Sequence, residues 1–361
     1  DIDSGYITFT HDNSVGVLDG FSFTVTDNEA TTTADTFSFS ITPSGLTGLN
    51  AIPNPVFHYD AQDLDGDGDF SDQPTDGSSV GTVVNPIGTT QNATQGGGGQ
   101  QPIYDEDAFD FCKGGLVFDG TDDHLDIANN LLINDTGPWD EKSFAVAFRT
   151  GTDIVTNQVI YEQGGGSNGY NLGIWNGDLI AYVWAESYWG GGDQYKSINL
   201  GAVDINTTYS VIMIHDATGA TLDDRTFSAN VNGGAFTTLT RVDAQGAHIG
   251  NIVIGRGDDT HNPLDDSDFS SAGDFNGTIF ELWNWNHALD ASQITIIENY
   301  MQDKWFGSLQ TIDTNNALTV NENGSVTIAN TYLDTNDAES PDTSITYTVT
   351  SLATTGTVRL G

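Results

Sequence analysis

Five aspartates fall within ten residues, at Asp63, Asp65, Asp67, Asp69 and Asp72, and this spacing constrains the chain more than any other feature. Carboxylates so close repel one another until a cation joins them. The run from Asp63 to Gly68 repeats the first half of an EF-hand loop, with carboxylates at loop positions 1, 3 and 5 and the turn glycine at position 6. The second half departs from it. Pro74 stands at position 12, where an EF-hand carries a bidentate Glu, so Asp72, Asp76 or a carboxylate from elsewhere has to close the shell. Hard oxygen donors with no His or Cys in the run suit Ca²⁺ rather than Zn²⁺. The expectation is a Ca²⁺ loop of non-EF-hand type, against the competing reading of a solvated acidic turn.

The same excess of acid runs through the whole chain. With 51 Asp and Glu against 9 Lys and Arg, the formal charge is −42. Such a chain repels phosphate backbones and anionic lipid surfaces, which argues against nucleic acid and membrane as partners. It also repels itself, so folding is expected to lean on divalent ions or salt. Calcium-rich extracellular water meets that need, and a secreted, cell-surface location follows. Cys112 is the only cysteine and has no internal disulfide partner. No stretch approaches the ~20 apolar residues of a membrane span. The chain opens in mid-pattern at Asp1, so a monomeric module of a longer chain, with targeting signals elsewhere, is expected.

At 361 residues two or three domains are expected. The 42 glycines, many Ser and Thr, and few helical stretches point to an all-β protein. Residues 1 to 45 hold three alternating runs, Gly5–Thr10, Phe21–Thr26 and Thr36–Ile41. Residues 310 to 361 hold four more, around Leu318–Val320, Val326–Ile328, Ile345–Val349 and Val358–Leu360. Seven short strands are the complement of an immunoglobulin-like sandwich, and neither end piece alone covers its apolar face. Residues 50 to 306 form a separate unit of many strands, including Phe144–Phe148, Tyr170–Trp175, Leu179–Trp184, Tyr209–His215 and Gly277–Trp285, which reads as one large sandwich or jelly roll. One helix is evident, capped by Asp290 and striped by Ile294, Ile297, Met301 and Trp305, with Gly307 as its stop.

Two resemblances refine this. Leu318-Thr319-Val320-Asn321-Glu322-Asn323-Gly324, Thr335-Asn336-Asp337-Ala338-Glu339-Ser340-Pro341 and Tyr347-Thr348-Val349 resemble the first half of a cadherin-like repeat of giant bacterial adhesins of the RTX type. Asp1 through Asp27 resembles its second half. Either two repeats are truncated, or one repeat is split by the middle segment and rejoins in space; exposed strand edges on two half-domains favour the second. The resemblance implies structural Ca²⁺ ligands at Asp27, Glu322, Asp337 and Glu339. In the middle, Phe118-Asp119-Gly120-Thr121-Asp122-Asp123-His124-Leu125, the Asn276–Glu281 strand and the Ala288-Leu289-Asp290-Ala291 helix start resemble the laminin-G-like, concanavalin-A-like lectin family. That resemblance implies a carbohydrate-binding jelly roll with one short C-terminal helix and Ca²⁺ near the ligand edge.

A glucanase of this fold needs two carboxylates facing one cleft. No Glu-x-Asp-x-Glu run is present; Glu162, Glu186 and Glu281 stand alone, and His58, His124, His215, His248, His261 and His287 show no metal spacing. The expectation is therefore binding, not catalysis. A second acidic cluster, with Asp258, Asp259, Asp265, Asp266 and Asp268 as ligands and Asp274 behind them, occupies a long late loop and is expected to bind Ca²⁺ beside the ligand. For the sugar, pyranose CH faces stack on rings while hydroxyls meet amides and carboxylates. Tyr188, Trp189 and Tyr195, with Asp193, surround a glycine turn after Trp184, which is expected in the core, and Asn168 lies in a neighbouring polar loop. The function expected is a Ca²⁺-dependent lectin module of a secreted adhesin that attaches to surface glycans. The alternatives are a structural or protein-binding adhesin domain and, further off, a glycan hydrolase.

Overall fold

The computed structural model describes residues 18–23, 35–40, 55–69, 72–87, 91–109, 113–165, 167–185, 195–248, 252–257, 260–261, 263, 268–269, 273–306, 311–315 and 333–336. Contacts divide the chain into two compact units, one of Asp1–Ser14 with Gly45–Met301, the other of Val15–Ser44 with Gln302–Gly361. In chain order the strands are β1 (Leu18–Phe23), β2 (Asp35–Ser40), β3 (Phe57–Asp60), β4 (Thr82–Val83), β5 (Ala93–Thr94), β6 (Ile103–Phe109), β7 (Lys113–Asp119), β8 (Leu125–Ile127), β9 (Glu141–Thr150) and β10 (Gln158–Gly165). They continue as β11 (Asn168–Trp175), β12 (Asp178–Ala185), β13 (Tyr195–Ala202), β14 (Thr208–Asp216), β15 (Thr226–Val231), β16 (Thr237–Thr240), β17 (Ile252–Ile254), β18 (Thr260–His261), β19 (Asp268–Phe269) and β20 (Asn276–Trp285). Helix α1 (Ala291–Trp305) follows, then β21 (Thr311–Asn315) and β22 (Leu333–Asn336).

The larger unit is a sandwich of two antiparallel sheets. The front sheet runs β13-β12-β11-β10-β17-β8-β5-β4, and the back sheet runs β16-β15-β14-β9-β20-β7-β6, with β3 also paired to β20. This is the all-β sandwich expected from the strand pattern. Side chains alternate across each strand, so neighbouring residues feed different layers. On the back sheet Phe144, Val146, Phe148, Val211 and Met213 enter the core between the sheets, with Tyr161, Tyr170, Ile174, Ile252 and Ile254 opposite them. Ala145, Ile212, Ile214, Trp283 and Trp285 point the other way, under Leu289, Ile297, Tyr300 and Met301 of the helical segment. Burial on both faces explains why β9, β14 and β20 read as nearly continuous apolar runs, and each large apolar side chain so enclosed is worth about 1.5–3 kcal/mol.

The helix begins where a capping box forms. Asp290 Oδ1 accepts the backbone N–H of Ser292 at 2.8 Å and of Gln293 at 2.9 Å, and Gln293 Oε1 accepts the Asp290 N–H at 2.9 Å. In the second unit, β1 pairs antiparallel with β2, and β21 with β22. The runs at Gly5–Thr10 and at Leu318–Val320, Val326–Ile328, Ile345–Val349 and Val358–Leu360 lie outside the described residues.

Candidate binding cleft and cation sites

One end of the sandwich holds the amide of Gln245, doubly unsatisfied among the described residues. Strands β10 and β11 are joined there, with Gly165 paired to Asn168, and β11 pairs with β12 so that Asn168 faces Ala185. The next rung of the β12–β13 hairpin pairs Trp184 with Tyr195. The segment 186–194, with Tyr188, Trp189 and Asp193, closes that hairpin in sequence and lies outside the described residues. Glycines make room for the rings: a Cβ at Gly164 or Gly169 would run into the Trp184 indole, whose Nε1–H donates to Gly165 O at 2.9 Å. Trp184 stacks on Tyr182 with centroids 5.5 Å apart, and Tyr195 lies 6.2 Å from Tyr182. Trp184 is buried as expected, though it belongs to the outward side of the front sheet, and Tyr195 is 41% exposed.

Beside this hairpin is a cleft lined by Val183, Ala185, Tyr195, Lys196, Val242, Asp243 and Gln245. Gln245 is 1% exposed, and among the described residues neither its amide oxygen nor its amide nitrogen has a hydrogen-bond partner. A buried amide left so costs about 1–3 kcal/mol. The Gln245 backbone is held by reciprocal bonds to Trp139, and the next residue, Gly246, donates its N–H to Asn168 Oδ1 at 3.2 Å. Asn168 is thus a buried strand residue that positions the cleft wall rather than a loop side chain. No sequence signal marks Gln245.

Behind the cleft lies an unusual set of cations held in or near neutrality. Burial lowers Lys142 to about 7; its Nζ donates to Asn286 Oδ1 at 2.7 Å and sits 4.4 Å from the centre of the Trp139 ring. Burial likewise lowers His215 and His248 to about 4. His215 Nε2 lies 2.9 Å from Asp243 O, a pure acceptor, so that nitrogen carries the proton and Nδ1 accepts from Tyr170 OH at 3.0 Å.

The acidic loop occupies the other side of the front sheet. It leaves β3 beside β20, where Ala61 N–H donates to Phe280 O, and it is tied next to β4, where Val84 N–H donates to Leu64 O. Strand β4 is the edge opposite β13. Asp63, Asp65 and Asp67 bring oxygens within 4.8 Å of one another. Asp63 accepts the N–H groups of Asp67 and Gly68, both at 3.1 Å, and the turn is made by Gly66 and Gly68 at φ +72° and +84°. Such φ values suit glycine. Partial burial first, then repulsion from Asp60 and Asp65, raises the Asp63 carboxyl, while the Gly68 and Gly66 N–H groups oppose the shift. The exposed Asp72 is raised by desolvation first and then by the charges of Asp65, Asp67 and Asp69, but neither it nor Asp69 is in the group of oxygens within 4.8 Å. An all-oxygen set drawn together against its own repulsion fits Ca²⁺. The loop is braced by a residue that sequence reasoning passed over: Gln73 Oε1 accepts Leu64 N–H at 3.1 Å.

A second acidic turn is Asp119, Asp122 and Asp123, again with oxygens within 4.8 Å. Asp123 Oδ2 accepts Asp119 N–H at 3.0 Å, and burial raises its carboxyl to about 6. The nearby Asp274 has a buried Oδ1 with no hydrogen bond among the described residues, and Arg256 Nε lies 3.6 Å from it. This turn is at the end of the sandwich away from the cleft, since Asp119 pairs with Asn276 at the start of β20. The stem of the long acidic loop is there too, with Val159 N–H bound to Gly273 O and Phe275 N–H to Gly255 O. Asp258, Asp259, Asp265 and Asp266 lie outside the described residues, as do the side chain of Asp268 and the residues Asp27, Glu322, Asp337 and Glu339.

Two expectations about isolated residues change. Glu281 and His58 are not solitary: they meet Asp60 on the back sheet, with His58 Nε2 2.6 Å from Glu281 Oε1. They stand 223 residues apart in the chain, and no local spacing announces the pair. Glu162, on β10 of the front sheet, and Glu281, on β20 of the back sheet, belong to different layers and do not face one cleft.

No protein-family model matches the chain. No curated protein matches it either. Among solved structures, the botulinum neurotoxin serotype G binding domain is similar at 13% identity and a TM-score of 0.42, over 72% of this chain and 55% of that one. A structure of botulinum neurotoxin type C, whose cell entry is dependent upon interaction with two ganglioside molecules, is similar at 16% identity and TM-score 0.41, over 66% and 53%. The CBM40 of a Ruminococcus gnavus IT-sialidase, bound to α2,3-sialyllactose, is similar at 14% identity and TM-score 0.38, over 51% and 95%. The chain spans about half the length of the toxin structures it matches. The fold assignment rests on the two sheets themselves.

Proposed function

We propose that the chain is a Ca²⁺-dependent glycan-binding module of a secreted bacterial adhesin, taking its ligand at the β12–β13 end of the sandwich. The observation that carries this reading is the amide of Gln245, buried, without a hydrogen-bond partner among the described residues and lining a cleft at the start of β13, where the Tyr195 ring lies near Tyr182 and is 41% exposed. An amide that offers one donor group and one acceptor beside an aromatic face is the complement of a pyranose, which offers hydroxyls around its rim and CH groups on its face. Tyr188, Trp189 and Asp193, in the segment that closes the same hairpin, complete the proposed site. The cations at Asp63–Asp72 belong to the opposite edge, so Ca²⁺ acts in this proposal by holding the fold.

The test is a glycan array probed with the full chain in Ca²⁺ and in chelator. Binding that is lost in Gln245→Ala and Tyr195→Ala while their circular dichroism is unchanged supports the reading; binding by neither wild type nor variant favours a spacer or protein-binding domain. For the chain ends we propose one split cadherin-like sandwich, with Asp27, Glu322, Asp337 and Glu339 as its Ca²⁺ ligands. Removal of residues 1 to 43 should then leave residues 311 to 361 protease-sensitive and residues 50 to 306 folded.

A further inference from the structure

On the outward side of the back sheet, His58 and Asp60 alternate along β3 and so share one face. Register places Glu281 opposite Asp60 and Trp283 opposite His58. The imidazole Nε2 and one oxygen from each carboxylate lie within 4.8 Å of one another. Glu281 and Asp60 are buried, while the His58 side chain keeps 16% of its exposure, which leaves one side open to solvent. Each donor is held from behind. Tyr300 OH donates to Glu281 Oε1 at 2.7 Å, the Gln62 N–H donates to Asp60 Oδ1 at 2.9 Å, and the His58 ring lies against Trp283 with centroids 3.6 Å apart and planes 19° off parallel.

We infer that His58, Asp60 and Glu281 form a binding site for a divalent transition ion of the Zn²⁺ class, separate from the acidic loop and independent of the glycan reading. One imidazole and two carboxylates, with a water in the fourth position, are a ligand set that Zn²⁺ accepts in a tetrahedral shell. Ca²⁺ asks for six to eight oxygens, which this buried corner does not supply. Closing the shell at ligand distances near 2.0–2.2 Å requires His58 and Glu281 to part by less than about 1 Å from their hydrogen-bonded contact. The outer contacts of Tyr300, Gln62 and Trp283 resemble in kind those that orient ligands in metal sites. A bound ion ties β3 to β20 and, through Tyr300, to the helix, so it acts as a clip on the first and last strands of the sandwich.

The experiment uses the full chain, stripped with chelator and dialysed. Titration with Co²⁺, a coloured substitute for Zn²⁺, should produce a visible absorption band of four-coordinate type that saturates at one equivalent and is displaced by Zn²⁺. His58→Ala should abolish the band, Tyr300→Phe should weaken Co²⁺ binding about tenfold, and Asp63→Asn with Asp65→Asn should leave it unchanged. A band that survives His58→Ala, or no band in the wild type, overturns the inference. If His58→Ala alters the circular dichroism, X-ray absorption on the wild-type Zn²⁺ protein decides: a nitrogen in the first shell supports the site, and an all-oxygen shell overturns it.

Discussion

The two edges of the front sheet solve opposite problems. At the β4 edge, Asp63, Asp65 and Asp67 are drawn together by the turn glycines and by Gln73 against their mutual repulsion, which a cation would relieve. At the β12–β13 edge charge is paired or held back: Asp243 in the cleft meets Arg225 at 3.2 Å, while behind it on the back sheet and its neighbouring loop Lys142 is pushed to about 7 and His215 and His248 to about 4. In the proposed reading, charge at one edge serves cohesion and polarity at the other serves recognition. An uncharged hydroxylated ligand discriminates little by charge, whereas unmet amide hydrogen bonds discriminate strongly.

The largest effect that separates the edges is chelation. Removing an ion held at a thousandfold above its dissociation constant costs about 4 kcal/mol, and the melting temperature should fall by many degrees in EDTA at matched ionic strength. An unchanged melting curve would make the Asp63–Asp72 loop a solvated turn. Asp63→Asn with Asp65→Asn should lower the melting temperature similarly, yet at low temperature, where the variant is folded, it should keep the wild-type glycan affinity. Loss of affinity in the folded variant would put the ion beside the sugar and erase the comparison.

Acidification probes the other edge. His215 has its pKa lowered by burial, from 6.5 to about 4, so on acidification the unfolded chain takes up a proton that the folded chain refuses. The stability it contributes is fully present above 6.5 and is lost as the pH falls toward 4, about 2 kcal/mol between pH 7 and 5. His248 adds to the same slope. Asp123 runs the other way for the fold, since its pKa is raised by burial to about 6: its ionised form burdens the folded state, and protonation below 6 relieves it. Melting temperature measured from pH 7 to 5 should therefore fall overall, and a His215→Gln variant, if folded, should show a flatter profile.

Lys142 gives an effect of similar size and opposite sign. Its pKa is lowered by burial, so at neutral pH folding must strip or bury a proton that the unfolded lysine holds. Lys142→Met should raise stability by on the order of 2 kcal/mol, read as a higher denaturant midpoint. Destabilisation would show that the Asn286 and Trp139 contacts outweigh the cost of burial. The smallest effect on the fold belongs to Tyr195→Ala. An exposed ring contributes little to stability, so its melting curve should match wild type while glycan affinity drops about tenfold, as expected for a lost stacking contact and its enclosed area.

The sandwich and its helix were legible because their signals are local. Runs of strand-forming residues mark β10, β11, β12 and β20, and Asp290 with Ile297 and Met301 marks the helix. Short strands such as β4, β5 and β8 have too few residues to alternate visibly. The clustering of Asp63, Asp65 and Asp67 was legible for the same reason, since these carboxylates are neighbours in sequence. Glu281 with His58, and Gln245 with Tyr195, were not, because strand pairing joins the first two and only the folding of a loop beside β13 brings the second two to one cleft. The Asp119–Asp123 turn was visible as letters, but its carboxylates read as a family motif and not as a cluster.

The most direct measurement is a crystal structure of the full chain grown with Ca²⁺ and the best-binding array glycan. The account predicts a sugar hydroxyl within hydrogen-bond distance of the Gln245 amide, a pyranose face on Tyr195, and Ca²⁺ on Asp63, Asp65 and Asp67 at the far edge with no shared ligand. A glycan bound on the back sheet, or one coordinated directly by that same Ca²⁺, would contradict it.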